Sequence, residues 1–285
     1  MEESKRVKKL RREVIAALPT FPNNRETKDL LDGMFLGNLL IHYLNWVIRY
    51  VAIKPRKVLI EPAVMSDRRW CDLKHQVYAL LEKVRDGDNL NPHLSTLPQT
   101  RGYMPSTSET EHGVDRWVDK DFLLNTMGFH HFHLGMKSER NGYVERTNEL
   151  VFANVSREMF TLMGIFDHSV FEFTDKSMSD ERKRLWAMFD SYITRGAPSG
   201  TVVLATQIAM SGHPVHVVET ADQYSRIIYQ IDSKLDSMEY VRDLYASNNL
   251  TTPKKLKFEW MLNFSDLLLL EKHNNHFFVM HRGFN

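Results

Sequence analysis

Phe129-His130-His131-Phe132-His133-Leu134-Gly135 decides the fold together with Glu149-Leu150-Val151-Phe152-Ala153-Asn154-Val155 and the apolar run from Met159 to Phe166. These runs are rich in aromatic and β-branched residues and are bounded by turn signals, so we expect strands over Phe129–Leu134, Glu149–Val155 and Met159–Phe166. Gly142 marks the first turn, and Ser156–Glu158 is short enough to make the second and third strands a hairpin. Side chains alternate across a strand, so His131 and His133 project together while His130 points the other way with Phe132 and Leu134. In an antiparallel arrangement the first and third strands run the same way. His133 and the His168 of Phe166-Asp167-His168 then finish at one sheet end.

Working outward, Lys5, Arg6, Lys8, Lys9, Arg11 and Arg12 alternate with Leu10, Val14, Ile15 and Leu18, the spacing of an amphipathic helix with a basic face. That face is either solvated or an arm that contacts phosphate or a partner. Arg25–Val51 and Arg69–Val84 have helical periodicity, with Val58–Ile60 extended between them. Asn89–Glu111 has no periodicity and is rich in Pro, Ser and Thr, which suits a functional or mobile loop. Beyond it, Trp117–Met127 and Asp180–Ile193 suit helices. Thr201–Ile208 and Val215–Glu219 suit strands, Ala221–Ile231 and Met238–Ala246 helices, and Lys257–Asn263, Leu267–Lys272 and Phe277–His281 closing strands. The fold class expected is α+β: N-terminal helices followed by a mainly antiparallel sheet flanked by helices. Along the chain this divides into a helical part (1–88), an irregular loop (89–114) and an α/β part (115–285) with a possible catalytic core at 120–195.

A net charge of +1 gives no global argument for nucleic acid and none against a local basic patch. One cysteine, Cys71, rules out an internal disulfide and suits a reducing, cytoplasmic setting. We expect it to be structural. The charged N-terminus lacks a signal peptide's apolar stretch, and the Met34–Val51 run is too interrupted to span a bilayer, so no membrane association is expected. Neither GxxxxGK[ST] nor GxGxxG occurs. His213 and His216 suit turn and edge positions, and Asp232 and Asp236 suit helix-entry capping. The basic clusters Lys54-Arg56-Lys57 and Lys254-Lys255-Lys257 suit solvated surface.

The chemistry concentrates in His131, His133 and His168 and in the charged loop between the first two strands. Three readings are open. The histidines can be satisfied polar residues on a half-buried sheet. They can be an acid–base set, since imidazole exchanges protons near neutrality and Arg or Lys stabilises a phosphorane. With His131, His133 and either His168 or Asp167 as three ligands and water as the fourth, they can hold a metal, although no HExxH or paired-Cys motif is present.

Phe129–Phe173, about 45 of 285 residues, resembles the catalytic core of the RelE-like ribonuclease toxins and, more broadly, the barnase/EndoU/colicin/RelE group. The likeness lies in a strand ending Leu134-Gly135, a basic loop around Tyr143, and Arg146-Thr147-Asn148-Glu149-Leu150-Val151-Phe152-Ala153, followed by an apolar strand closing in Asp167-His168. Glu149 stands where that group usually has a basic residue. The resemblance implies a toxin-type endoribonuclease that needs no cofactor and cleaves RNA by 2′-OH attack on the adjacent phosphate. It implies His131 or His133 as general base, His168 as general acid, and Arg146, Lys137 or Arg140 as charge stabilisers, with Tyr143 stacking on a base and Thr147 donating to a phosphate oxygen. The partners implied are RNA and a cognate antitoxin or the ribosome. The alternatives are a non-catalytic phage-type, antitoxin or immunity interaction protein, and a small metal-dependent hydrolase.

Overall fold

A computed structural model describes residues 3–105, 119–174, 177–204 and 207–284. Its helices are α1 (Lys5–Ala17), α2 (Arg25–Gly33), α3 (Leu36–Val47), α4 (Pro62–Met65), α5 (Trp70–Asp86), α6 (Phe122–Met127), α7 (Asp180–Ile193), α8 (Val215–Asp232) and α9 (Met238–Ser247). Its strands are β1 (Lys57–Ile60), β2 (Phe129–His133), β3 (Glu149–Val155), β4 (Met159–Asp167), β5 (Phe173–Thr174), β6 (Ser177–Met178), β7 (Phe258–Asn263), β8 (Asp266–Glu271) and β9 (His276–His281). The class is mixed α+β, with helices first and mainly antiparallel sheets flanked by helices. No described helix is long and apolar enough to cross a membrane.

The chain forms two compact units, each assembled from separate segments. A helix-rich unit holds Met1–Ile48, Pro98–Lys120 and His213–Phe284; a sheet unit holds Arg49–Leu97 and Asp121–Gly212. The units therefore cut across the change of texture at 89–114.

In the sheet unit the strand order is β1-β4-β3-β2, with β1 parallel to β4 and the other pairs antiparallel. The alternation of the strands supplies two apolar faces. Phe132, Val151, Phe160 and Leu162 pack on one side with Val77, Leu80, Leu81 and Val84 of α5. Phe129, Leu150, Phe152 and Phe166 pack on the other with Leu185 and Phe189 of α7 and with Leu123 and Met127 of α6. The sheet is thus covered on both faces. A register shift between Phe152 and Ala153, opposite Gly164 and Leu162, bends the β3–β4 pair.

In the helix-rich unit, α1 buries Val7, Leu10 and Val14, a helical spacing, and β7-β8-β9 form an antiparallel meander. Several expectations are corrected in this unit and in the connecting segments. The helix expected over Arg25–Val51 breaks between Gly33 and Leu36, where Met34 and Phe35 are extended. The guanidinium of Arg11 donates to the carbonyls of Asp32 and Met34, both at 2.7 Å, and so satisfies the end of α2. Val215–Glu219 is not a strand but the start of α8, because Val217, Ala221, Tyr224 and Ile228 are buried at helical spacing and outweigh the β-branched run. Residues 201–204 form no strand, and Val202 and Leu204 are exposed; 205–206 lie outside the described residues. Of the helix expected over 117–127, Phe122–Met127 is helical and 117–118 lie outside the described residues. Asp232 and Asp236 do not cap a helix entry. Arg6 bonds to both, at 2.9 and 2.8 Å, and the Trp260 indole N–H donates to Asp232 at 2.8 Å.

Candidate active site

β2 and β4 run the same way and bring His133 and His168 to one sheet end, where their rings lie 5.5 Å apart. His133 is the last residue of β2 and is buried. His168 is exposed and opens a single 3-10 turn, His168–Phe171. Val170 anchors that turn in the core, and Asp167 caps it by accepting the Ser169 N–H at 2.9 Å. Arg69 stands 3.6 Å from the Asp167 carboxylate and donates to the Ile165 carbonyl at 2.8 Å, bracing the end of β4. His131, half-buried, lies against Phe171 (5.0 Å) and Phe152 (5.7 Å).

The loop after β2 is itself folded back. Ser138 bridges Val144, the Glu145 N–H donates to the Lys137 carbonyl, and Gly142 takes the left-handed conformation at the turn. Gly135 is obligatory at its base: a Cβ there would lie 2.1 Å from the carbonyl oxygen of Glu145. The return limb delivers Arg146, which is exposed, donates to the Leu94 carbonyl at 2.8 Å, and lies over the Tyr143 ring at 5.5 Å. Lys137 and Arg140 are exposed on the loop and make no hydrogen bond or ion pair with the histidines.

Two assigned binding residues are corrected by this geometry. Tyr143 is buried with a guanidinium over its ring, so it supports Arg146 and offers no face to a base. The Thr147 hydroxyl accepts the Leu134 N–H at 3.0 Å and donates to the Glu149 carbonyl at 2.6 Å, so it ties β2 to β3 and has no proton left for a phosphate.

Burial governs the electrostatics of the site, with Arg146 as the nearby cation. Burial pushes His133 down to about 3, and Arg146, His131 and His168 add to the effect. Burial also lowers His131; Asp121 opposes the shift, and His168 and Arg146 reinforce it. Both imidazoles are therefore neutral at pH 7. His133 Nδ1 lies 3.2 Å from both the N–H and the carbonyl of Thr147, so its tautomer decides which bond forms. With the proton on Nδ1 donated to the Thr147 carbonyl, Nε2 is left as a base.

Sequence reasoning missed His93, in the Asn91-Pro92-His93 turn. It is buried, and its Nε2 lies 3.0 Å from Lys83 Nζ while its Nδ1 lies 2.8 Å from the His133 carbonyl. An ammonium only donates, so Nε2 accepts and Nδ1–H donates to His133. His93 thus fixes the end of β2. Among the described residues no group of three or more His, Cys, Asp or Glu side chains is arranged to hold a metal ion. No family model, curated protein or solved structure matches this chain.

Proposed function

We propose that this sheet end is the active site of an RNA-cleaving, toxin-type endoribonuclease that works by metal-independent acid–base chemistry. The observation that carries the reading is the meeting of His131, His133, His168 and Arg146 at one strand end with His168 and Arg146 exposed. A phosphodiester would complement the Arg146 guanidinium that stands beside the two neutral imidazoles. The neutral His133 Nε2, or His131, takes the proton of the ribose 2′-OH. The 2′-oxygen bonds to phosphorus, the bond from phosphorus to the 5′-oxygen breaks, and the imidazolium of His168 protonates that leaving oxygen. Arg146 stabilises the charge on the phosphorane, and Lys137 and Arg140, exposed on the loop, contact the flanking phosphates. The products are a 2′,3′-cyclic phosphate and a 5′-hydroxyl. The resemblance of Phe129–Phe173 to the RelE-like group supports the same chemistry.

The test is incubation of the full chain with end-labelled RNA in EDTA, with product ends identified by mass. Cyclic-phosphate ends, lost in His133→Ala and His168→Ala, are expected. Undiminished cleavage in both variants, or dependence on added divalent metal, would overturn it.

A further inference from the structure

The basic residues of α1 separate into two groups by the face they occupy. Arg6 pairs with Asp232 and Asp236, and Lys9 with Glu259, so these two side chains face α8, the turn after it and β7. Arg11 is buried against the end of α2 and pairs with Glu3 at 3.4 Å. Lys5, Lys8 and Arg12 stand at i, i+3 and i+7, which puts them on one exposed helix face. That face lines a groove of about 1090 Å³. Phe35 lines it too, with 85% of its surface exposed, as does Tyr229 at 46%. Two carboxylates share the groove. Glu3 is taken up by Arg11 and by the Tyr229 hydroxyl, which donates to it at 3.0 Å; Asp32 lines the groove as well. Past Arg12 and Asp32 a second groove of about 580 Å³ continues along the helix to Lys28 and Phe21.

We propose that this groove binds single-stranded nucleic acid. A row of cations tracks a phosphate backbone, and an exposed ring gives unpaired bases a face to stack on. A duplex, with its bases already stacked on one another, offers Phe35 nothing. The 13 residues of α1 rise roughly 20 Å, enough for a few extended nucleotides. The proposal concerns binding alone and stands apart from cleavage at the histidine site.

The experiment is fluorescence anisotropy with labelled 12-mers of uridylate and deoxythymidylate, a 12-base-pair duplex, and phosphatidylcholine vesicles carrying phosphatidylglycerol. It uses the full chain in a His133→Ala background so that the RNA probe stays intact. Single strands of one or both sugars should bind, and a preference between them assigns the sugar. Lys5→Gln/Lys8→Gln/Arg12→Gln should weaken binding at least tenfold and reduce the salt slope by about 2, at roughly 0.7 for each phosphate no longer neutralised. Phe35→Ala should weaken it by roughly tenfold and leave the slope unchanged. Lys9→Gln/Lys254→Gln/Lys255→Gln removes the same charge elsewhere and should change little. Circular dichroism of each variant checks its fold. The proposal is overturned by no single-strand binding at low salt, by equal weakening in the charge-matched control, or by duplex or vesicles binding as tightly as the single strands. Its failure leaves the cleavage test untouched, because that test reads product ends.

Discussion

Two pairs of histidines in this chain have the same electrostatic signature in different settings. In the sheet unit, burial sets His133 at about 3, and His131 beside it is lowered as well. In the helix-rich unit, burial sets His213 at about 3 and His42 at about 4, with their rings 5.1 Å apart. Each pair also feels a cation: Arg146 in the first case, Lys120 in the second. The settings differ in access. His133 stands beside an exposed histidine and an exposed arginine at the end of a strand. His42 packs between His213 and Tyr103, and Lys120 is buried in an ion pair with Asp119. A depressed imidazole therefore marks burial first. Function needs, in addition, a partner that solvent and substrate can reach.

Catalysis separates the two settings most strongly. His133→Ala and His168→Ala should each lower the initial rate of RNA cleavage by roughly 10²–10⁴-fold, the usual worth of a positioned acid or base. His42→Gln and His213→Gln should leave the rate within a few-fold once melting temperatures have been matched. Equal losses in both settings would erase the distinction between them.

Next in size is an effect confined to the sheet unit. Gly135→Ala drives a Cβ to 2.1 Å from backbone, where neither side can give as a side chain would. The expected cost is about 2–3 kcal/mol in urea melts. It should come with a displaced loop, and with Arg146 drawn away from the histidines. A variant as stable and as active as the parent would show that the loop base is not held by this close approach.

Stability against pH should make the two pairs look alike. The folded-state values of His42, His133 and His213 all lie below the unfolded value of about 6.5. The unfolded chain then binds protons that the folded chain refuses. Stability is full above about pH 6.5 and falls as the pH drops from there toward the folded values. At pH 5 each buried histidine costs roughly 2 kcal/mol relative to pH 7.5. His133→Gln and His213→Gln should each shrink the difference between urea melts at the two pH values by about that amount. No shrinkage in either variant would mean that burial does not set these values.

Much of the fold was legible because the sheet strands carry their own signal. Glu149–Val155 and Asp180–Ile193 form elements with the bounds that alternation and periodicity suggest. The convergence of His133 with His168 followed from strand direction alone. What was hidden depends on contacts distant in sequence. Arg11 ends α2 from another helix, and His93 braces β2 from 40 residues upstream. Tyr143 and Thr147 have the right chemistry for RNA, and only their neighbours reveal that it is already used. The interleaving of the two units has no local signature, because each unit closes only when separate segments meet.

The smallest effect is also the most selective. His133 is lowered by burial first and then by Arg146 and its histidine neighbours, whereas for His213 the groups that follow burial are His42 and Lys120. An anion seated between Arg146 and His168 should offset the first set of charges and leave the second untouched. Uridine 3′-phosphate, which has no bond to cleave, serves as the probe. At saturation it should raise the titration of His133 by about one unit, the low end of what an opposite charge within a few ångströms produces. Proton resonances of the imidazole rings, assigned by His→Gln variants, would follow the change. His42 and His213 should not move. If they move with His133, the nucleotide acts on the protein as a whole. If nothing moves, the histidine end has no affinity for phosphate, and the three imidazoles are polar residues at the end of a sheet covered on both faces.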